Sequence, residues 1–232
     1  MAGAEQIVLL PGQLCTAELW APVLPELKRI GKPDVIVLNA HDTVAGMANS
    51  VLERAGPRFS LVAHAMGGFV AFEILRRARE RVKRLALLST LASADTPKQT
   101  ERREGYLRLI EQGQFAQIIE ERIPMLLHPA HAKDAALCSV LRRMAAETGV
   151  DGFRRQQRAI MSRPDSRPSL VQIPCETLVL FGRADGITTI DHQVELRNGI
   201  PHARLEIIED CGHMLTLEKP AAVAEALQLF LA

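Results

Sequence analysis

One stretch constrains this chain more than any other: Phe59-Ser60-Leu61-Val62-Ala63-His64-Ala65-Met66-Gly67-Gly68-Phe69-Val70-Ala71-Phe72. Phe59 to Val62 is apolar and partly β-branched, the pattern of a strand covered on both faces. Phe69, Phe72 and Leu75 then recur at helical spacing. Between the two lies a very short turn with small residues two places either side of Ala65, namely Ala63 and Gly67. So sharp a bend excludes larger neighbours, whose side chains would collide across it. The stretch therefore predicts a buried strand, a strained turn that lifts position 65 above a sheet, and a helix. Read alone, it also fits an ordinary strand-to-helix junction of a parallel α/β protein.

The rest of the chain supplies the sheet. Ile7 to Leu10 reads as a short buried strand ended by Pro11-Gly12, followed by a loop over Gln13 to Thr16. A helix is expected near Ala17 to Lys28, broken into pieces by Pro22 and Pro25. Asp34 to Leu38 reads as a second strand. Val44 to Ala55 reads as a helix capped by Asp42 or Thr43. The helix after Ala65 is expected to end near Arg79, and Val82 to Ser89 reads as a fourth strand. Strands and helices alternating in this way predict a parallel sheet with right-handed crossovers. The alternation stops over residues 94–168. There Thr100 to Gln112, Phe115 to Leu127, Ala132 to Glu147 and Gly152 to Ser162 all read as helices, a lid or cap set between strands. The segment is slightly basic, and Arg154-Arg155-Gln156-Gln157-Arg158 carries forks suited to a substrate carboxylate, or else a solvated helix face. Strands resume at Glu176 to Phe181 and Arg204 to Ile208, and a last helix runs from Pro220 to Leu231. The expected fold class is α/β: a mostly parallel sheet of about six strands flanked by helices, with the cap after the fourth strand. A core of residues 1–93 and 169–232 would carry a cap of residues 94–168.

A net charge of +1 favours neither nucleic acid nor an acidic surface as partner. The longest apolar runs are of strand length, so no membrane span is expected. Met1 to Gln6 shows no basic or apolar leader, and a cytoplasmic location is expected. Cys15, Cys138, Cys175 and Cys211 form no C-x-x-C pair, so reduced thiols are expected rather than disulfides or a metal site. Trp20 is expected in the core.

Ligands of open α/β sheets sit outside the carboxyl ends of the strands. Gln13, Ala65, Asp185 and His213 all lie just past such ends, which puts an acid and an imidazole from distant sequence on one rim. Asp185 alone is equally a turn residue, and His213 alone equally a core histidine. With these residues together the chain resembles the α/β-hydrolase superfamily, in its serine-hydrolase, esterase- or lactonase-like branch. Ala63-His64-Ala65-Met66-Gly67-Gly68 is similar to that family's nucleophile elbow, G-H-S-M-G-G, with alanine in place of serine. Phe181-Gly182-Arg183-Ala184-Asp185 and Cys211-Gly212-His213 match its acid and base motifs, in the family's chain order.

The resemblance implies roles. Asp185 would orient His213, and His213 would take a proton from a hydroxyl at position 65. The backbone N–H groups of Gln13 and Met66 would form the oxyanion hole, although Pro11 stands where the family has histidine. Leu14, Met125 and Gln157 would touch the substrate, a small-molecule ester, lactone or thioester. No metal or organic cofactor is implied. His64 would bond locally beside the elbow rather than act as a base.

Ala65 leaves three readings: a serine deliberately replaced by alanine so that substrate stays trapped, a natural non-catalytic ligand-binding protein, or an enzyme using another group. The retained acid, imidazole, small elbow residues and oxyanion loop favour the first. A carboxylate at the elbow, as in haloalkane dehalogenases and epoxide hydrolases, is an alternative original nucleophile. Lyase chemistry on the same fold is another.

Overall fold

The computed structural model describes residues 5–232. Residues 1–4, which begin the expected core segment and most of the stretch read as leader-free, lie outside the described residues.

Strand β1 (Gln6–Leu10) runs into a single 3-10 turn at Ala17–Trp20, capped by the Thr16 side chain, and then helix α1 (Leu24–Ile30) with Pro25 in its first turn. The expected helix is thus split at its prolines, since the pyrrolidine ring is accommodated without loss of a hydrogen bond where a helix starts. Strand β2 (Lys32–Val35) lies earlier than the expected Asp34 to Leu38, because its register on β1 (Gln6 opposite Lys32, Leu9 opposite Val35) runs out where Pro11 turns the chain. Its own Pro33 is admissible on an edge strand. Helix α2 (Val44–Arg54) is capped by the Thr43 hydroxyl, which accepts from the Gly46 N–H at 3.1 Å. Strand β3 (Phe59–His64), helix α3 (Met66–Ala78) and strand β4 (Val82–Leu88) follow as the periodicity predicts.

Three helices then intervene: α4 (Pro97–Glu111), α5 (Phe115–Leu126) and α6 (Ala135–Met161). α4 begins three residues before the expected Thr100, at a capping box of Thr96 and Gln99. The two helices expected over 132–162 are present as the two halves of α6, which meet at Gly149, whose φ of 68° only glycine adopts without strain. Strand β5 (Glu176–Gly182), helix α7 (Ile190–Gly199), strand β6 (Ala203–Ile208), a single turn α8 (Leu215–Glu218) and helix α9 (Pro220–Leu231) complete the chain. Helix α7 is absent from the sequence reading: Ile190 and Val194 are exposed, so its apolar residues trace no stripe.

The six strands form one parallel sheet in the order β2-β1-β3-β4-β5-β6. Alternate residues feed two cores, one on each face. Ile7, Leu9 and Val62 join Trp20, α9 and the insertion helices on one side, and Val8, Leu10, Leu61 and Ala63 join α2 and α3 on the other. Phe153, Met144 and Ile118 of the insertion belong to the first of these cores rather than to one of their own. The register pairs Leu10 with Ala63, His64 with Leu88, and Leu88 with Leu180, so the carboxyl ends of the central strands stand level. The chain leaves β1 for β2 and returns to β3 on the other side, so the strand order reverses between β1 and β3, where such sheets open a crevice. Among the described residues no helix is long and apolar enough to cross a membrane.

Candidate active site

At that crevice one residue, Ala65, makes the whole turn from β3 into α3. Its φ of 48° and ψ of −111° lie where an L-residue is strained. Neighbouring contacts hold it there. Its N–H donates to the Leu88 carbonyl at 2.9 Å, and its own carbonyl accepts from the Gly68 N–H at 2.9 Å and the Thr90 hydroxyl at 2.7 Å. The small residues have steric causes. A Cβ on Gly67 would stand 2.5 Å from the Leu10 carbonyl oxygen, and one on Gly68 would run into the Thr90 side chain. The Ala65 methyl is half-buried and lines a cavity of about 840 Å³, mouth included, between the strand ends and the insertion helices.

Gln13 and Met66 line the same cavity. Met66 opens α3, so its N–H has no partner within the helix. The loop carrying Gln13 is pinned from the insertion. Leu14, with a strained φ of 59°, donates its N–H to the Gln156 side-chain oxygen at 3.0 Å, and the Gln156 amide donates to the Leu38 carbonyl at 2.9 Å.

Asp185 and His213 come together from the ends of β5 and β6. His213 Nδ1 lies 2.8 Å from Asp185 Oδ2. The buried carboxylate also accepts from the Ile187 N–H (2.7 Å), the Thr188 N–H (3.0 Å) and the Thr188 hydroxyl (2.7 Å). Burial alone would raise this carboxyl. The adjacent imidazole and the donors of Thr188 outweigh it and hold Asp185 well below the usual carboxylate range. An ionised Asp185 requires a proton on His213 Nδ1 and leaves Nε2 free to accept. The backbone of His213 is fixed by its N–H, which donates to the Leu126 carbonyl at 3.0 Å.

His64 has another character. It is fully buried, with its ring 4.9 Å from that of His213, and its Nε2–H donates to the His213 carbonyl at 2.9 Å. Burial, with the neighbouring imidazole, pushes it down to about 3, so it stays neutral and serves as a local strut. Cys15 is equally inert: its buried thiol donates to the Gln13 carbonyl, and burial pushes it up to about 12. All four cysteines are free and buried.

The remaining expected contacts separate. Met125 lines the main cavity. Leu14 is buried and lines a smaller one beside it. Gln157 stands behind the wall, fully buried, where its side-chain oxygen accepts from Arg103 at 3.0 Å. The arginines of 154–158 do not face the cavity. Arg154 pairs with Asp151, Arg155 donates to the Asn39 carbonyl at 2.7 Å, and Arg158 is exposed, because the buried face of this helix is taken by Gln156 and Gln157. The arginines that line it are Arg102, Arg103, Arg122 and Arg163, from α4, α5 and the segment just after α6. Asp95 binds two of them, Arg103 at 2.6 Å and Arg163 at 2.7 Å, at a buried junction of core and insertion. No local pattern announces these residues. Thr188, three positions after Asp185, is the one missed residue that a side-chain-to-backbone turn motif could have suggested.

Comparison with known proteins places this geometry in a family. The family described as "Alpha/beta hydrolase family" matches residues 7–226. The chain is similar to the 2-hydroxy-6-oxononadienedioate/2-hydroxy-6-oxononatrienedioate hydrolase of Escherichia coli K12, at 26% identity covering 99% of this chain and 88% of that protein. Among solved structures it is similar to a thermophilic esterase from Thermogutta terrifontis with malate bound, at a TM-score of 0.89 and 26% identity over 99% of this chain and 90% of that one. An enol-lactonase from Burkholderia xenovorans LB400 has the same fold, at a TM-score of 0.89 and 21% identity over 99% and 92%.

Proposed function

The chain belongs to the alpha/beta hydrolase family, and on that premise we propose that its rim is a serine-type acyl-transfer site disarmed at position 65. The observation that carries this reading is the Asp185–His213 pair, 2.8 Å apart, on the rim where Ala65 is held in strained backbone facing the cavity. Such strain persists only where surrounding contacts enforce it, and here it presents a methyl group that can do no chemistry.

With serine at position 65, its hydroxyl oxygen would attack the carbonyl carbon of an ester, lactone or thioester of small to medium acyl group. His213 Nε2 would take the hydroxyl proton and return it to the departing alcohol, enol or thiol. The N–H groups of Gln13 and Met66 would stabilise the oxyanion, an interaction worth several kcal/mol because the donors are already oriented. Water would then enter, lose its proton to His213 and release the acid. Asp185 would hold the tautomer and balance the imidazolium. Residues 94–168 act in this reading as the lid that shapes the pocket. With Ala65, His213 is left to activate water alone, at a rate reduced on the order of a million-fold.

The experiment is Ala65→Ser beside the chain as it stands, against short-chain aryl esters and a fluorophosphonate label. The expected result is turnover and labelling at position 65 in the serine form alone. Silence of both forms would overturn the acyl-enzyme reading. In that case tight binding of a small ligand without turnover would favour a non-catalytic binding protein.

A further inference from the structure

We infer that the cavity over Ala65 contains an anion subsite, with Arg122 as its anchor and the Gln13 side chain beside it, that selects substrates bearing a carboxylate in addition to the scissile bond. This deepens the hydrolase reading by naming its substrate class.

Two donors at the cavity have no acceptor. Gln13 Nε2 and Arg122 Nε are both buried and without a hydrogen-bond partner, and both residues line the cavity that Ala65 and His213 line. Both also line the smaller adjoining cavity, so they stand where the two meet. A buried donor left unpaired is costly, and a guanidinium without a counter-charge more so. Charge points the same way. Four arginines line the main cavity against one carboxylate, Asp95, and both of that carboxylate's oxygens are taken by Arg103 and Arg163. Arg122 makes no ion pair among the described residues; its guanidinium lies 5.6 Å from the centre of the Tyr106 ring. Arg103 and Arg163 are consumed by structure, whereas Arg122 is held ready for a ligand. A carboxylate supplies two acceptors in the plane of the guanidinium fork, which an ester carbonyl cannot match.

The test uses the chain as it stands, titrated calorimetrically with glutarate and with neutral glutaramide. Glutarate is expected to bind more tightly than glutaramide, and less tightly as salt rises. Arg122→Gln is expected to weaken glutarate binding by about tenfold or more, and Arg122→Lys by less. Arg154→Gln, which removes an arginine facing away from the cavity, is expected to change nothing. Melting temperatures of all forms check folding. Equal binding of glutarate and glutaramide, or glutarate binding unaltered in a folded Arg122→Gln protein, would overturn the subsite. In Ala65→Ser, the preference for mono-p-nitrophenyl glutarate over p-nitrophenyl butyrate is expected to fall by about tenfold on adding Arg122→Gln. The two readings fail separately. Turnover of both esters without preference removes the subsite and leaves the hydrolase, while glutarate binding by a serine form that turns over nothing removes the hydrolase and leaves the subsite.

Discussion

The rim of the sheet and the helical insertion above it treat polar groups in opposite ways. At the rim the Asp185 carboxylate and the elbow are answered close by: the carboxylate takes four hydrogen bonds, three of them from residues within three positions of it, and the Ala65 carbonyl takes two. The residue types there follow from space, with glycine at 67 because Leu10 lies against it. In the insertion, polar side chains reach far across the sequence, as Gln156 does to Leu14, or end in the cavity unanswered, as Arg122 does. A carboxylate and a turn held by this many local bonds are suited to a fixed reaction geometry. A region with open donors is suited to choosing what enters.

That contrast can be broken at several points. The largest effect is expected at the rim. In the Ala65→Ser background, His213→Ala should cost on the order of a million-fold in ester turnover, and Asp185→Asn about ten-thousand-fold, read as kcat. A loss below a hundredfold in either would detach the pair from the chemistry. Gly67→Ala tests whether space alone dictates the rim: its Cβ at 2.5 Å from the Leu10 oxygen should lower stability by about 2–4 kcal/mol in urea unfolding. Gln156→Leu tests whether the insertion reaches the rim. It leaves the Leu14 N–H and Leu38 carbonyl unpaired, about 1–3 kcal/mol each, and in the serine form it should lower kcat more than it raises KM.

His64 sharpens the comparison through pH. Its folded state holds the imidazole neutral down to about 3, whereas the unfolded chain protonates it near 6.5. The unfolded state therefore binds more protons between these values, and stability falls as pH drops through that window, by up to about 1.4 kcal/mol per pH unit. His64→Gln should flatten this slope, seen by comparing urea midpoints at pH 7 and pH 5. The smallest effect belongs to the insertion's outer surface. Arg142→Ala removes an exposed pair with Glu120 and should leave the midpoint within measurement error.

Much of the rim was legible in the residues themselves, since its requirements are local. Two small residues flanking position 65, an apolar run before it and a helical stripe after it dictate strand, turn and helix together. The level ends of parallel strands then carry Gln13, Asp185 and His213 to the same edge. The cap at Thr43 was legible because an apolar stripe follows it, whereas Thr189 caps α7, a helix whose apolar residues trace no stripe and which was missed whole. The insertion's helices could be counted from periodicity, but not which arginines look inward. The run at 154–158 invited that role, yet its buried face went to Gln156 and Gln157. Arg122 carries no distinguishing neighbour in sequence, and its lack of a partner exists only once Tyr106, Gln13 and the cavity surround it. The His64 strut and the Asp95–Arg163 pair likewise join residues tens of positions apart. Sequence by itself determined what short-range sterics and hydrophobic period can encode, the sheet and its strained turn. Only the tertiary structure decided which buried charges are paired and which are open, because pairing is a property of distances that the chain acquires on folding.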